Sequence, residues 1–128
     1  MAHWKAMEWQ GAVDVKSGVR VYRLSGVLTD SRDAYSLIEE LRAELRADSR
    51  PVLLDLAGVE QLTSAGVGMV ATLYSSARNA NVAFALSGLT PRSRRLLEIV
   101  HLFEFMRTFG DELEALAAYA TGAWESRA

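Results

Sequence analysis

The chain has 128 residues, half of them hydrophobic and 23% charged, the balance of one globular domain large enough to bury a core. It has no cysteine and two histidines, which excludes disulfides, thiolate zinc sites and a cysteine nucleophile, so no metal and no cofactor is expected. Fourteen basic against sixteen acidic residues give a net charge of −2, without the basic excess of a nucleic-acid binder.

In chain order, residues 1–8 read as an N-terminal tail and 122–128 as a C-terminal one, bounding a single domain over 9–121. Met1–Gln10 holds Lys5 and Glu8 but no apolar core of a signal peptide. No apolar run reaches the roughly 18 residues of a membrane span. A cytoplasmic location without membrane insertion is therefore expected. Trp4, Trp9 and Trp124 mark either a contact surface or, more plainly, packing across an open end of the domain.

Trp9–Val15 and Val19–Ser25 are two β-branched runs around Lys16-Ser17-Gly18, a hairpin signal, with Gly26 ending the second strand. Asp30 or Ser31 then caps a helix. Its buried face is Ala34, Leu37, Ile38, Leu41 and Leu45, at helical spacing, with Glu39, Glu40, Arg42 and Arg46 in solvent. Pro51 breaks the pattern. Val52-Leu53-Leu54-Asp55-Leu56 is a strand covered on both faces, and Gly58–Thr63 a loop. A second helix runs from near Ser64 to about Arg78, with Val67, Val70, Tyr74 and Ala77 on one face. Val82–Leu86 is another apolar strand, joined by a right-handed parallel crossover. Gly88 turns the chain, and Thr90-Pro91 starts a third helix with Leu96, Leu97 and Val100 inward. Phe103–Phe109 is a last strand, and Asp111 caps a final helix bearing Leu113, Leu116, Ala117 and Ala120. The fold class is α/β: a mixed sheet of four to five strands packed with about four helices.

Leu62-Thr63-Ser64-Ala65-Gly66-Val67-Gly68 follows a buried strand and opens a helix. Ligands and modifications in such sheets concentrate at the carboxyl ends of strands, and a helix N-terminus favours an anion. Ser64 places a hydroxyl there, either as a site or as a simple N-cap. Gly66 and Gly68 are poor helix formers that together suggest a steric need, the close approach of another protein's backbone. Met69, Thr72 and Ser76 share the outward side of this helix, with Met69 an exposed apolar contact.

Leu53-Leu-Asp-Leu-Ala-Gly-Val-Glu-Gln-Leu-Thr-Ser-Ala-Gly-Val-Gly68 resembles the central segment of STAS domains, the fold of bacterial anti-sigma factor antagonists: an apolar strand, a short loop, then Asp-Ser-(Ser/Thr)-Gly-(Leu/Ile)-Gly. Leu86-Ser-Gly-Leu-Thr-Pro-Arg-Ser-Arg-Arg-Leu-Leu-Glu-Ile-Val-His-Leu102 resembles the family's second marked stretch. The element order is similar from about residue 9 to residue 120. The resemblance implies a non-enzymatic binding protein. It implies that a serine-kinase anti-sigma factor phosphorylates Ser64, with Thr63 the weaker candidate, and that a metal-dependent serine phosphatase reverses the modification. Phosphate would add about −1.5 to −2 charges to a desolvated interface and so break docking, not folding. The implied partner surface is Thr29, Asp30, Thr63, Ser64, Ala65, Gly66, Gly68, Met69 and Thr72, and a homodimer is compatible with it. The chain departs from the family where Thr63 and Thr29 replace aspartates that flank the switch serine. The resemblance therefore also admits a rival: a non-switching subunit of a signalling scaffold or of a lipid or anion transporter complex.

Other signals are weaker. Gly66-Val-Gly-Met-Val-Ala71 matches a dinucleotide fingerprint, but it lies far beyond its strand, and no acidic residue occurs between Glu60 and Glu98 to hold a ribose. The Ser64 segment is not the hydrolase G-x-S-x-G, and His101 is the one plausible base. Asp55 is expected to cap loop amides at a strand end. Arg92, Arg94 and Arg95 read as a solvated helix face.

Overall fold

A computed structural model describes residues 3–5, 9–28, 32–101 and 106–124. Strands β1 (His3–Lys5), β2 (Trp9–Lys16), β3 (Val19–Leu28), β4 (Val52–Leu62), β5 (Phe84–Ser87) and β6 (Arg107–Phe109) lie in one sheet in sequence order. The first three are antiparallel, and β3 to β6 run parallel. Helices α1 (Arg32–Ala47), α2 (Ser64–Asn79) and α3 (Pro91–Ile99) are the crossovers, and α4 (Glu112–Ala120) closes the domain.

Alternation along the strands builds two cores. Val52, Leu54 and Leu56 of β4 pack with Leu37, Leu41, Val70, Leu73 and Leu97, under α1, α2 and α3. Leu53, one residue out of phase, packs with Val19, Val21, Ala85, Ala115 and Trp124 under α4. A strand buried on both faces must be apolar throughout, as β4 is at its start. The α1 stripe at Ala34, Leu37, Ile38, Leu41 and Leu45 is buried at every position. The hairpin turns on Ser17 (φ 54°) and Gly18 (φ 80°), the two positive φ values of a tight two-residue loop.

Several expectations need correction. His3–Lys5 lies in the expected N-terminal tail, yet it pairs antiparallel with β2 and makes a sixth strand; three residues are too short to carry a periodic signal. β3 does not stop at Gly26 but bulges there, with φ 93° and a shifted register, and continues to Leu28. The expected loop after Gly58 is strand, as β4 runs to Leu62. A Cβ at Gly58 would stand 2.8 Å from the Ser25 Cβ, so the glycine lets β3 and β4 stay side by side. Val100 caps α3 and is exposed, and Leu113 in α4 is 79% exposed, its place in the core taken by Ala115. The domain also extends past 121. Trp124 is 5% exposed, donates from Nε1 to the Ala115 carbonyl at 2.8 Å and stacks on Phe109. A single aromatic after a helix has no periodicity to announce it. Trp124 therefore packs the open end of the sheet; the Trp4 and Trp9 side chains lie outside the described residues.

Two ion clusters fasten helices to β3. Arg20, buried, reaches Asp48 (3.0 Å) and Glu44 (3.1 Å) at the end of α1. Arg23, on the opposite face, makes a two-pronged bond to Glu112 at the start of α4, at 2.8 and 2.7 Å.

Candidate functional site

β3 and β4 end together, with Leu28 opposite Leu62, whereas β5 ends at Ser87 opposite Asp55; α2 and α3 start at the carboxyl ends of β4 and β5. Ligand sites of parallel sheets gather at such ends. At α2 the N-cap is Thr63, whose Oγ1 accepts from the Gly66 amide at 3.0 Å. The same hydroxyl donates to the Leu28 carbonyl at 2.9 Å, and the Thr63 amide reaches that carbonyl at 3.2 Å. Both capabilities of the Thr63 side chain are used, which disfavours it as a phosphoacceptor.

Ser64 is thereby released from capping. It is the first helical residue and is exposed, as is Ala65 after it. Its hydroxyl stands at a helix start whose first amides have no intrahelical acceptor, a setting favourable to an anion. No acidic residue occupies the first turn of α2. The arrangement can present a hydroxyl to a visiting enzyme and tolerate the phosphate that results.

The two glycines differ. A Cβ on Gly66 would overlap the Leu28 carbonyl oxygen, so this glycine serves the approach of α2 to the end of β3, not the approach of a partner. A Cβ on Gly68 meets nothing within 4 Å, so this position is open to a visitor. Met69 is not an exposed contact. It is 4% exposed and belongs to the main core. The buried stripe of α2 is Gly66, Met69, Val70, Leu73 and Ala77, which has the spacing of the α1 stripe but begins at a glycine and so hides its phase. Thr72 is half-buried and donates to the Gly68 carbonyl at 2.9 Å. Thr29 and Asp30, expected partner residues, lie outside the described residues. Tyr35, which the sequence did not single out, stands 64% exposed beside this end of α2; an aromatic on the solvent side of an amphipathic helix was the available signal.

The remaining candidates lie elsewhere. Asp55 is within β4, not at its end. It accepts from the Ser87 hydroxyl at 3.0 Å and the Ala57 amide at 3.3 Å, and burial holds its carboxyl above the ordinary range despite those bonds. Strand alternation puts it on the α4 side of the sheet, with Leu53. Arg92, Arg94 and Arg95 are exposed on α3, and His101 is exposed at φ 62° just beyond it. No helix among the described residues is long and apolar enough to cross a membrane.

Comparison with known proteins agrees with this fold. The model of the STAS domain matches residues 11–115. The candidate anti-sigma factor antagonist BtrV of Bordetella bronchiseptica is 28% identical over 109 residues, covering 85% of this chain and 93% of its own length. The anti-sigma F factor antagonist of Paenibacillus polymyxa is 26% identical over 110 residues, 86% of this chain and 94% of the relative. The crystal structure of an anti-sigma factor antagonist from Mycobacterium paratuberculosis superposes with a TM-score of 0.68 at 25% identity, over 86% of this chain and 92% of that one.

Proposed function

The chain belongs to the STAS domain family, and on that premise we propose that it is an anti-sigma factor antagonist whose docking surface is centred on Ser64. What supports the reading is that one relative named an anti-sigma F factor antagonist and another named a candidate anti-sigma factor antagonist align over 85–86% of the chain. The observation that carries the reading is the division of labour between adjacent hydroxyls: Thr63 caps α2, and Ser64 is left in solvent. In the proposed cycle a serine-kinase anti-sigma factor binds the unphosphorylated surface and releases its sigma factor. The kinase transfers the γ-phosphoryl group of ATP to the Ser64 oxygen, releasing ADP and the hydroxyl proton, and a serine phosphatase hydrolyses the ester with water, releasing phosphate and restoring the hydroxyl. The added charge opposes re-docking because it would have to be desolvated in the complex. The protein itself binds and performs no catalysis.

One observation favours a second reading. No carboxylate stands at position 63 or in the first turn of α2, so a kinase that grips an acid beside the serine finds none. A non-switching subunit of a scaffold or transporter complex would bind its partner regardless of phosphate. Incubation with the serine-kinase anti-sigma factors of the same genome and ATP separates the two. The switch predicts a mass gain of one phosphate that Ser64→Ala abolishes. Tight binding with no incorporation supports the non-switching subunit.

A further inference from the structure

The solvent side of the seam between α1 and α2 changes chemistry along its length. At the Ser64 end, Tyr35, Ile38, Ala65, Gly68, Met69 and Thr72 line an open notch of about 230 Å³. Ile38 and Met69 are buried and make an apolar floor. Tyr35 forms one wall. The other wall is poor in side chains, since Ala65 and Gly68 face it and the space above Gly68 is empty. Further along both helices, Arg42, Arg46, Ser76 and Asn79 line a second hollow of about 270 Å³. No carboxylate lines either hollow. Arg42 spans the seam, donating to Ser76 Oγ at 3.2 Å, and is offset by Glu39 at 3.1 Å. Arg46 makes no ion pair among the described residues. From Gln61 to Leu97, a stretch containing all of α2, no acidic residue occurs, while Arg78, Arg92, Arg94 and Arg95 do. The rise of a helix separates Tyr35 from Arg46 by roughly 16 Å.

We propose that this seam receives a single segment of the anti-sigma factor, one bearing a bulky apolar side chain and, roughly 15 Å further on, one or more carboxylates. The apolar side chain fills the notch between Tyr35 and Gly68, where a desolvated anchor contributes most. The carboxylates meet Arg46 and Arg42, the unbalanced charge of the seam selecting an acidic visitor. A net-acidic protein thus offers its partner a locally basic groove. The proposal rests on the reading that the start of α2 docks an anti-sigma factor.

The test is titration of the full chain with each purified anti-sigma factor encoded in the same genome, by calorimetry at two salt concentrations. The variants are Tyr35→Ala, Gly68→Leu, Arg46→Glu and Arg46→Lys, with Ser64→Asp reporting on the parent reading. Tyr35→Ala and Gly68→Leu are each expected to weaken binding about tenfold or more. Gly68→Leu starts from a Cβ position with nothing within 4 Å and replaces a poor helix former, so its melting temperature should hold or rise. Arg46→Glu is expected to weaken binding about tenfold and flatten its salt dependence, whereas Arg46→Lys keeps most of the affinity. If Ser64→Asp weakens binding while Tyr35→Ala, Gly68→Leu and Arg46→Glu do not, the seam proposal is overturned and the parent reading stands. Variants that change self-association but not anti-sigma affinity overturn it in favour of a second copy of the chain. Absence of binding by the unmodified chain overturns both.

Discussion

Leu28 and Thr63 are joined twice, since the Thr63 hydroxyl and amide both reach the Leu28 carbonyl, at 2.9 and 3.2 Å. The last residue of β3 thus holds the residue that caps α2. The position of Ser64 is set by a neighbour's bonds, while its own side chain stays available.

Removing that cap should loosen the site. Thr63→Ala loses the Gly66 amide acceptor and one donor to Leu28. A lost N-cap costs about 1–2 kcal/mol, which lowers the melting temperature of a domain this size by roughly 5 °C. Thr63→Ser should restore most of the loss. Equal melting of Thr63→Ala and the unmodified chain would refute the capping role.

The glycines should respond in opposite senses. Gly66→Ala drives a methyl into the Leu28 backbone and should cost about 2 kcal/mol or more. Gly68→Ala has open space and should gain about 0.5–1 kcal/mol from helix propensity. Chemical denaturation of the two variants checks the contrast. Similar effects of the same sign would contradict the packing described for α2.

Acid should release α4. The bonds from Arg23 hold the Glu112 carboxyl below its ordinary range. A lowered folded-state pKa adds stability above the unfolded value, which is lost as the pH falls through the folded one. Glu112→Gln should therefore destabilise by about 1 kcal/mol near neutral pH, discounted for the half-exposed pair, and by progressively less below about pH 4. Asp55 works in the opposite direction. Its raised carboxyl is relieved on protonation, so Asp55→Asn should narrow any gain in stability as the pH falls toward the ordinary carboxylate range. Denaturant midpoints across this pH range measure both.

The C-terminal end is structural. Trp124→Ala removes a ring packed on Phe109 and Tyr119 and its bond to Ala115. The expected cost is about 3 kcal/mol, whereas Trp124→Phe should keep much of the packing and lose about 1 kcal/mol with the hydrogen bond. A thermal melt in which Trp124→Ala is unchanged would show that the ring adds nothing to the second core.

Much of this architecture was readable from periodicity. The five apolar positions of α1, the doubly buried start of β4 and the Thr90-Pro91 helix entry each obey a local rule, and each is found in place. What escaped depends on partners distant in sequence. β4 continues through the polar pair Glu60-Gln61 because β3 runs beside it, with Gln61 opposite Val27. Met69 does not read as core from the sequence because its stripe starts at Gly66, which contributes no hydrophobic signal. Ser64 was legible as a hydroxyl at a helix start. That Thr63 is the cap was not, since two adjacent hydroxyls suit that role equally and the Leu28 carbonyl, thirty-five residues away, decides between them.

In the proposed switch a double negative charge on Ser64 breaks docking and spares the fold. Its most direct measurement is the affinity of the anti-sigma factor for the chain with and without phosphate at Ser64, taken together with both melting temperatures. Phosphate should lower the affinity more than about tenfold and leave the melting temperature within a few degrees. Equal affinity of the two forms, or a phosphorylated chain that unfolds, would contradict the switch.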